Sequence, residues 1–143
     1  DAQESRGLGD VYKRQDLARE GKTIQDLLNQ IWSVYGYHAT EQISIRVKEI
    51  SQVKELLNSL RNAPPRQIAG REVKVIEDLS QPKDGLPPTN GLRMWLEGSV
   101  RVIIRPSGTE PKLKCYIEVI EKNKENAEEI LNQLRPSLKE LLS

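Results

Sequence analysis

Apolar and polar positions divide this chain into segments of two kinds. Ile24, Leu27, Leu28 and Ile31 recur at i, i+3, i+4 and i+7, the stripe of an amphipathic helix, so residues 16–36 read as helical. Thr23 with Asp26 has capping-box spacing, Gly21 breaks the pattern upstream, and Gly36 supplies a terminus. Ile43, Ile45 and Val47 then alternate with polar residues, which predicts a strand over 42–48 and leaves 37–42 as a connection. Ser51 is placed to cap a short helix carrying Val53, Leu56, Leu57 and Leu60, and Asn62-Ala63-Pro64-Pro65 stops it. Val73 and Val75 alternate along a second strand at about 71–79, after Gly70.

Residues 80–91 hold Pro82, Pro87, Pro88, Gly85 and Gly91 and read as a long loop with a turn at Asp84-Gly85. Strands follow at about 92–97 and 100–105, joined by Glu97-Gly98-Ser99 in hairpin spacing. The next strand is the cleanest: Leu113, Cys115, Ile117 and Val119 share one face, while Lys112, Lys114, Tyr116 and Glu118 share the other. Ala127, Ile130, Leu131, Leu134, Leu138 and Leu141 line a final helix, which Pro136 is predicted to kink or divide near Leu134. No internal repeat is present. This order predicts an α+β layer: an antiparallel sheet, helices on one face, and the 105–112 loop at a sheet end.

Composition narrows the classes. With 143 residues, 36% apolar and 30% charged, the chain suits one globular domain with a real core. A net charge of +1 provides no general field for nucleic acid or anionic lipid. One cysteine excludes an intramolecular disulfide and fits a reducing compartment, and neither a membrane span nor a signal peptide is visible, so a cytoplasmic location is expected.

The chemistry concentrates in R-P-S-G-T-E-P-K, residues 105–112. Arg105 offers a planar fork for two phosphate oxygens, Ser107 and Thr109 offer hydroxyls, and Gly108 lets backbone approach a ligand. Pro106 and Pro111 remove donors at the loop ends, which would let the remaining N–H groups form an anion nest. From Val100 to Tyr116, Arg101, Arg105, Lys112 and Lys114 face the single acid Glu110, a local excess suited to a dianion. The competing reading is a hairpin turn whose polar groups face water. Glu110, which would repel a bound phosphate, is read as a salt-bridge partner of a loop cation rather than a general acid or base. His38 is the only histidine and stands in the expected connection; Cys115 reads as a buried small hydrophobe; Trp32, Trp95 and Tyr116 read as packing residues rather than sugar-stacking ones.

The same eight residues resemble the phosphate-binding loop in the last domain of the α-D-phosphohexomutases, the phosphoglucomutase and phosphomannomutase family. L-P-P-T-N-G-L-R at 86–93 and K-L-K-C-Y at 112–116 are also similar to bacterial members, and the likeness covers about residues 16–143. It implies the small C-terminal domain of such an enzyme, a sheet like that of the TATA-box-binding protein, at 42–143. Residues 16–41 would then be the terminal helix of the preceding α/β sugar-binding domain plus a linker. The family interconverts hexose 1-phosphates and 6-phosphates through a bisphosphorylated intermediate. It uses a phosphoserine in its first domain, Mg²⁺ on an Asp-rich loop in its second and a sugar-recognition loop in its third.

None of those motifs occurs here, nor does G-x-S-x-G or a metal-ligand cluster. The resemblance therefore implies a phosphate anchor, with Arg105, Ser107, Gly108, Thr109 and Lys112 binding phosphate, no catalytic residue, no metal of its own, and magnesium held by upstream domains. Its expected partners are a hexose phosphate and those upstream domains, not nucleic acid or membrane. Asp10-Val11-Tyr12-Lys13-Arg14-Gln15 resembles the translation of a sequencing-library adapter, so residues 1–15 are expected to be disordered and outside the fold, and the chain to be a fragment. The alternative is a stand-alone phosphate- or anion-binding module without enzyme activity.

Overall fold

The computed structural model describes residue 21 and residues 23–143. The adapter-like segment 1–15 and the first part of the expected 16–36 helix lie outside the described residues. The chain divides into two compact units, with the boundary between Gly36 and Tyr37.

In the first unit, α1 spans Ile24–Tyr35. Its capping box forms as the spacing predicts: the Asp26 N–H donates to Thr23 Oγ1 at 3.1 Å and the Thr23 N–H donates to Asp26 Oδ2 at 2.9 Å. Gly36 ends the helix at φ 84°, a backbone region that favours glycine. The apolar stripe is not buried: Ile24, Leu28 and Ile31 are 36–40% exposed.

The second unit contains β1 (Tyr37–Arg46), α2 (Ile50–Asn62), β2 (Gln67–Ile68), β3 (Arg71–Asp78), β4 (Leu92–Leu96), β5 (Val100–Pro106), β6 (Lys112–Glu121) and α3 (Lys124–Leu141). The strands form one antiparallel sheet in the order β1-β6-β5-β4-β3-β2, with α2 and α3 packed on its inner face. Period-two alternation makes that face apolar. Leu113, Cys115, Ile117 and Val119 of β6 and Val100, Val102 and Ile104 of β5 are at most 1% exposed. They meet Val53, Leu57 and Leu60 of α2 and Ala127, Ile130, Leu131, Leu134 and Leu138 of α3. The α+β layer with helices on one face is thus observed.

Four local expectations are corrected. β1 begins at Tyr37, not at 42, because ten residues pair with β6 from Tyr37↔Glu121 to Arg46↔Lys112. The alternation over 37–41 is hidden because its inward positions, Tyr37, Ala39 and Glu41, include a small and a charged residue. Glu41 is accommodated there by Arg135 of α3, whose Nε lies 2.5 Å from Glu41 Oε1. His38 accordingly stands on a strand, exposed, rather than in a connection.

α2 starts after Glu49, so Ser51 falls inside its first turn, and Gln52 Oε1 instead accepts from the N–H groups of Lys48 (2.9 Å) and Glu49 (3.2 Å). The short β2 returns to β3 through Ala69 (φ 52°) and Gly70 (φ 75°), a tight hairpin without an apolar pattern to announce it. Finally, Pro136 does not divide α3. Having no N–H, it leaves the Asn132 carbonyl without its helical donor, and it sits on the exposed side, where water can reach that carbonyl, while buried Leu131, Leu134 and Leu138 anchor the helix on both sides of it.

Candidate anion-binding site

The 105–112 loop joins two central strands at one end of the sheet. The Ser107 N–H donates to the Lys112 carbonyl at 2.9 Å, the Lys112 N–H donates to the Glu110 carbonyl at 2.8 Å, and the Val47 N–H donates to the Pro111 carbonyl at 2.9 Å. These bonds close the loop and tie it to the end of β1. They also correct the expectation of a general nest, because the Ser107 and Lys112 amides are engaged internally. The amides of Gly108, Thr109 and Glu110 make no hydrogen bond among the described residues and remain available. Gly108 has φ outside the left-handed region, and a Cβ built on it meets nothing within 4 Å. Neither backbone strain nor packing demands glycine there, and the space beside it is open.

The arginines on the polar face of the sheet differ in whether a carboxylate holds them. Along β4 and β5 this face carries Arg93, Arg101 and Arg105. Arg93 is paired with Glu77, and Arg101 Nη2 lies 2.5 Å from Glu118 Oε2. Trp95 stands between those two guanidinium groups, 6.0 Å and 5.6 Å from its ring centre. Arg105 has no carboxylate partner among the described residues. Its Nη2 donates to the Tyr116 hydroxyl at 2.9 Å and its guanidinium lies 5.0 Å from the Tyr116 ring centre. The tyrosine thus orients the fork without neutralising it, and the remaining N–H groups stay free.

Lys112 is in a different state. Its Nζ lies 2.5 Å from Glu110 Oε2, and Arg46 Nη2 approaches Glu110 Oε1 at 4.0 Å. Hydrogen bonding from Lys112, then the charges of Lys112 and Arg46, hold the Glu110 carboxyl below its ordinary value. Glu110 is therefore the salt-bridge partner its sequence context suggested, and the Lys112 ammonium is engaged by it. The hydroxyls of Ser107 and Thr109 make no hydrogen bond among the described residues. Cys115 is fully buried on the inner face, where desolvation pushes its thiol up to about 12, so it is no nucleophile.

The family model for the phosphoglucomutase/phosphomannomutase C-terminal domain matches residues 43–136. The chain belongs to that family. Among similar proteins, a probable phosphomannomutase of Haemophilus influenzae is 35% identical over 127 residues, which cover 89% of this chain and 26% of that protein. A phosphoglucomutase of Staphylococcus aureus is 30% identical over 118 residues, covering 73% of this chain and 21% of its own length. The crystal structure of pp63/parafusin from Paramecium, a phosphoglucomutase in its open form, shares the fold with a TM-score of 0.53 at 18% identity; the match covers 83% of this chain and 23% of that one. The chain spans about a quarter of the length of these relatives.

Within this mutase C-terminal domain, sequence reasoning assembled the loop residues but missed Tyr116 and Arg46. Alternation already put Tyr116 on the polar face, and hairpin pairing makes it the diagonal neighbour of Arg105, whose direct partner is Lys114. Arg46 could be found only from the β1–β6 register, which sets it opposite Lys112. A cavity of about 460 Å³ lies between β3 and the 79–91 loop, lined by Val75, Ile76, Leu79 and Leu86 among others, and no residue of 105–112 lines it. No group of three or more His, Cys, Asp or Glu side chains that could hold a metal is present among the described residues. No helix among them is long and apolar enough to cross a membrane.

Proposed function

We propose that this domain anchors the non-reacting phosphate of a hexose phosphate within a larger phosphosugar mutase, an isomerase that moves a phosphoryl group between the 1- and 6-positions. The observation that carries the reading is the state of Arg105: a guanidinium without a carboxylate, braced by Tyr116, on a face where the neighbouring arginines are paired. The Ser107 and Thr109 hydroxyls and the Gly108 N–H complete the ligand set. Lys112 joins it when phosphate displaces Glu110 from its ammonium.

Gripping a remote phosphate lets binding energy orient the reacting group. A loop that reads phosphate rather than sugar serves both orientations of a bisphosphorylated intermediate, and either glucose or mannose. Closure of the domain over the cleft would exclude water from the phosphoenzyme. The phosphoserine, and the ligands for the magnesium ion that would neutralise the transferring phosphoryl group, belong to upstream domains of the complete protein. The same reading makes α1 the last helix of the preceding domain, consistent with its uncovered apolar stripe, leaves the isolated chain without mutase activity, and sets the enzyme in the cytoplasm.

The test is a titration of the isotopically labelled 143-residue chain, first with inorganic phosphate and then with glucose 1-phosphate, followed by NMR. Shifts are expected at the amides of Ser107, Gly108 and Thr109 and at the Arg105 side chain. Shifts confined to other surfaces would reject the site, and mutase turnover by the chain alone would reject its role as an anchor.

A further inference from the structure

Arg61 lies in the last turn of α2, and its guanidinium spans the neck of the 79–91 loop. Its Nε donates to Asp78 Oδ2 at 3.1 Å, at the end of β3, and its Nη2 donates to Asn90 Oδ1 at 2.6 Å, just before β4. Asp78 turns its other oxygen to Ser80, accepting from the N–H at 3.0 Å and the hydroxyl at 2.7 Å. Two backbone bonds close the same neck: Leu79 N–H to the Gly91 carbonyl at 2.9 Å, and Thr89 N–H to the Leu79 carbonyl at 2.8 Å. One fork therefore joins both ends of the loop.

The neck leads to the proposed phosphate site. Gly91 is buried, and a Cβ on it would lie 2.8 Å from the Ile104 carbonyl oxygen and 3.2 Å from Arg105 Cβ. The first distance is shorter than real Cβ contacts, so only glycine lets the neck rest against β5 at this point. Arg105 is thus held twice: Tyr116 orients its tip, and Gly91 abuts its base.

We infer that Arg61 is a positioning residue for phosphate binding: by joining Asp78 to Asn90 it seats Gly91 against the Ile104–Arg105 backbone, and so sets where the Arg105 fork leaves the sheet. The inference rests on the reading of Arg105 as the phosphate ligand. It assigns to α2, on the opposite side of the sheet from the fork, a part in the affinity of the loop.

The experiment compares the 143-residue chain with its Arg61→Met and Asn90→Ala variants by two readouts. The first is the order of the Arg105 Nε–Hε vector, from ¹⁵N relaxation without ligand; the second is the affinity for inorganic phosphate. Arg61→Met keeps the apolar stem and is expected to loosen Arg105 and to weaken phosphate about ten- to a hundredfold. Asn90→Ala removes one arm of the brace from an exposed position and is expected to act in the same direction, more weakly. It decides the matter if Arg61→Met fails to fold.

Arg105 as ordered in the folded variant as in the parent, with unchanged phosphate affinity, overturns the inference. If the parent binds phosphate and Arg105 order does not change, the positioning role falls and the phosphate site stands. If the parent binds no phosphate but Arg105 loosens, the brace stands and the phosphate reading falls.

Discussion

Replacing Arg105 with Ala should separate binding from folding. The side chain is exposed, and the contacts given up in the fold are the hydrogen bond to the Tyr116 hydroxyl and the cation–π contact at 5.0 Å. The exposed cation–π contact contributes about 0.5–1 kcal/mol and the hydrogen bond about 0.5–1.5 kcal/mol at most, so the melting temperature should fall by no more than roughly 5–10 °C. The loss to phosphate is larger. A charge-assisted hydrogen bond contributes roughly 1.5–3 kcal/mol, and at about 1.4 kcal/mol per decade its removal weakens Kd by about 10- to 150-fold. Arg105→Lys keeps the charge without the fork and should fall between. Tyr116→Phe keeps the ring but frees the fork, and should lose a few-fold. The assay is isothermal titration with inorganic phosphate at two salt concentrations, alongside thermal melting of each variant. A Kd for Arg105→Ala within twofold of the parent would refute the assignment. So would a loss of stability of several kcal/mol, which would make Arg105 a residue of the fold.

Three further outcomes follow from the same geometry. Glu110→Gln should bind phosphate more tightly, since it releases Lys112 and Arg46 from a competing carboxylate; equal or weaker binding by titration would sink that competition. Pro136→Ala returns a donor to the Asn132 carbonyl at an exposed position and should stabilise the domain by up to about 3 kcal/mol, read from urea denaturation; a destabilised variant would contradict it. Burial raises the Cys115 thiol to about 12, above its unfolded value of about 8.5, so the native state keeps its proton longer. Stability from this thiol is present below the unfolded value and is lost as pH rises from there toward 12. The slope reaches about 1.4 kcal/mol per pH unit, and urea midpoints of the parent and Cys115→Ala should therefore converge between pH 9 and 11. Parallel pH profiles would refute this.

Residue order by itself determined the elements whose pattern is set by one buried face. The strict alternation of β6, the heptad-like spacing of Ala127, Ile130, Leu131, Leu134 and Leu138, and the Thr23–Asp26 box each specify their local structure because neighbours in sequence are neighbours in space. The loop residues Arg105, Ser107, Gly108, Thr109 and Lys112 were legible for the same reason. Tertiary structure decided the rest. β1 extends back to Tyr37 because β6 pairs with it and because Arg135, 94 positions away, donates to the Glu41 carboxylate on the inner face. Pro136 stays inside α3 because the leucines on both sides are buried. The state of each cation on the polar face depends on register and on distant side chains: Glu118 takes Arg101, Glu110 takes Lys112, Tyr116 orients Arg105, and Gly91 sets its base. Local sequence specifies which groups are present, but whether a charge is neutralised or left free depends on partners that only folding brings within a few ångströms.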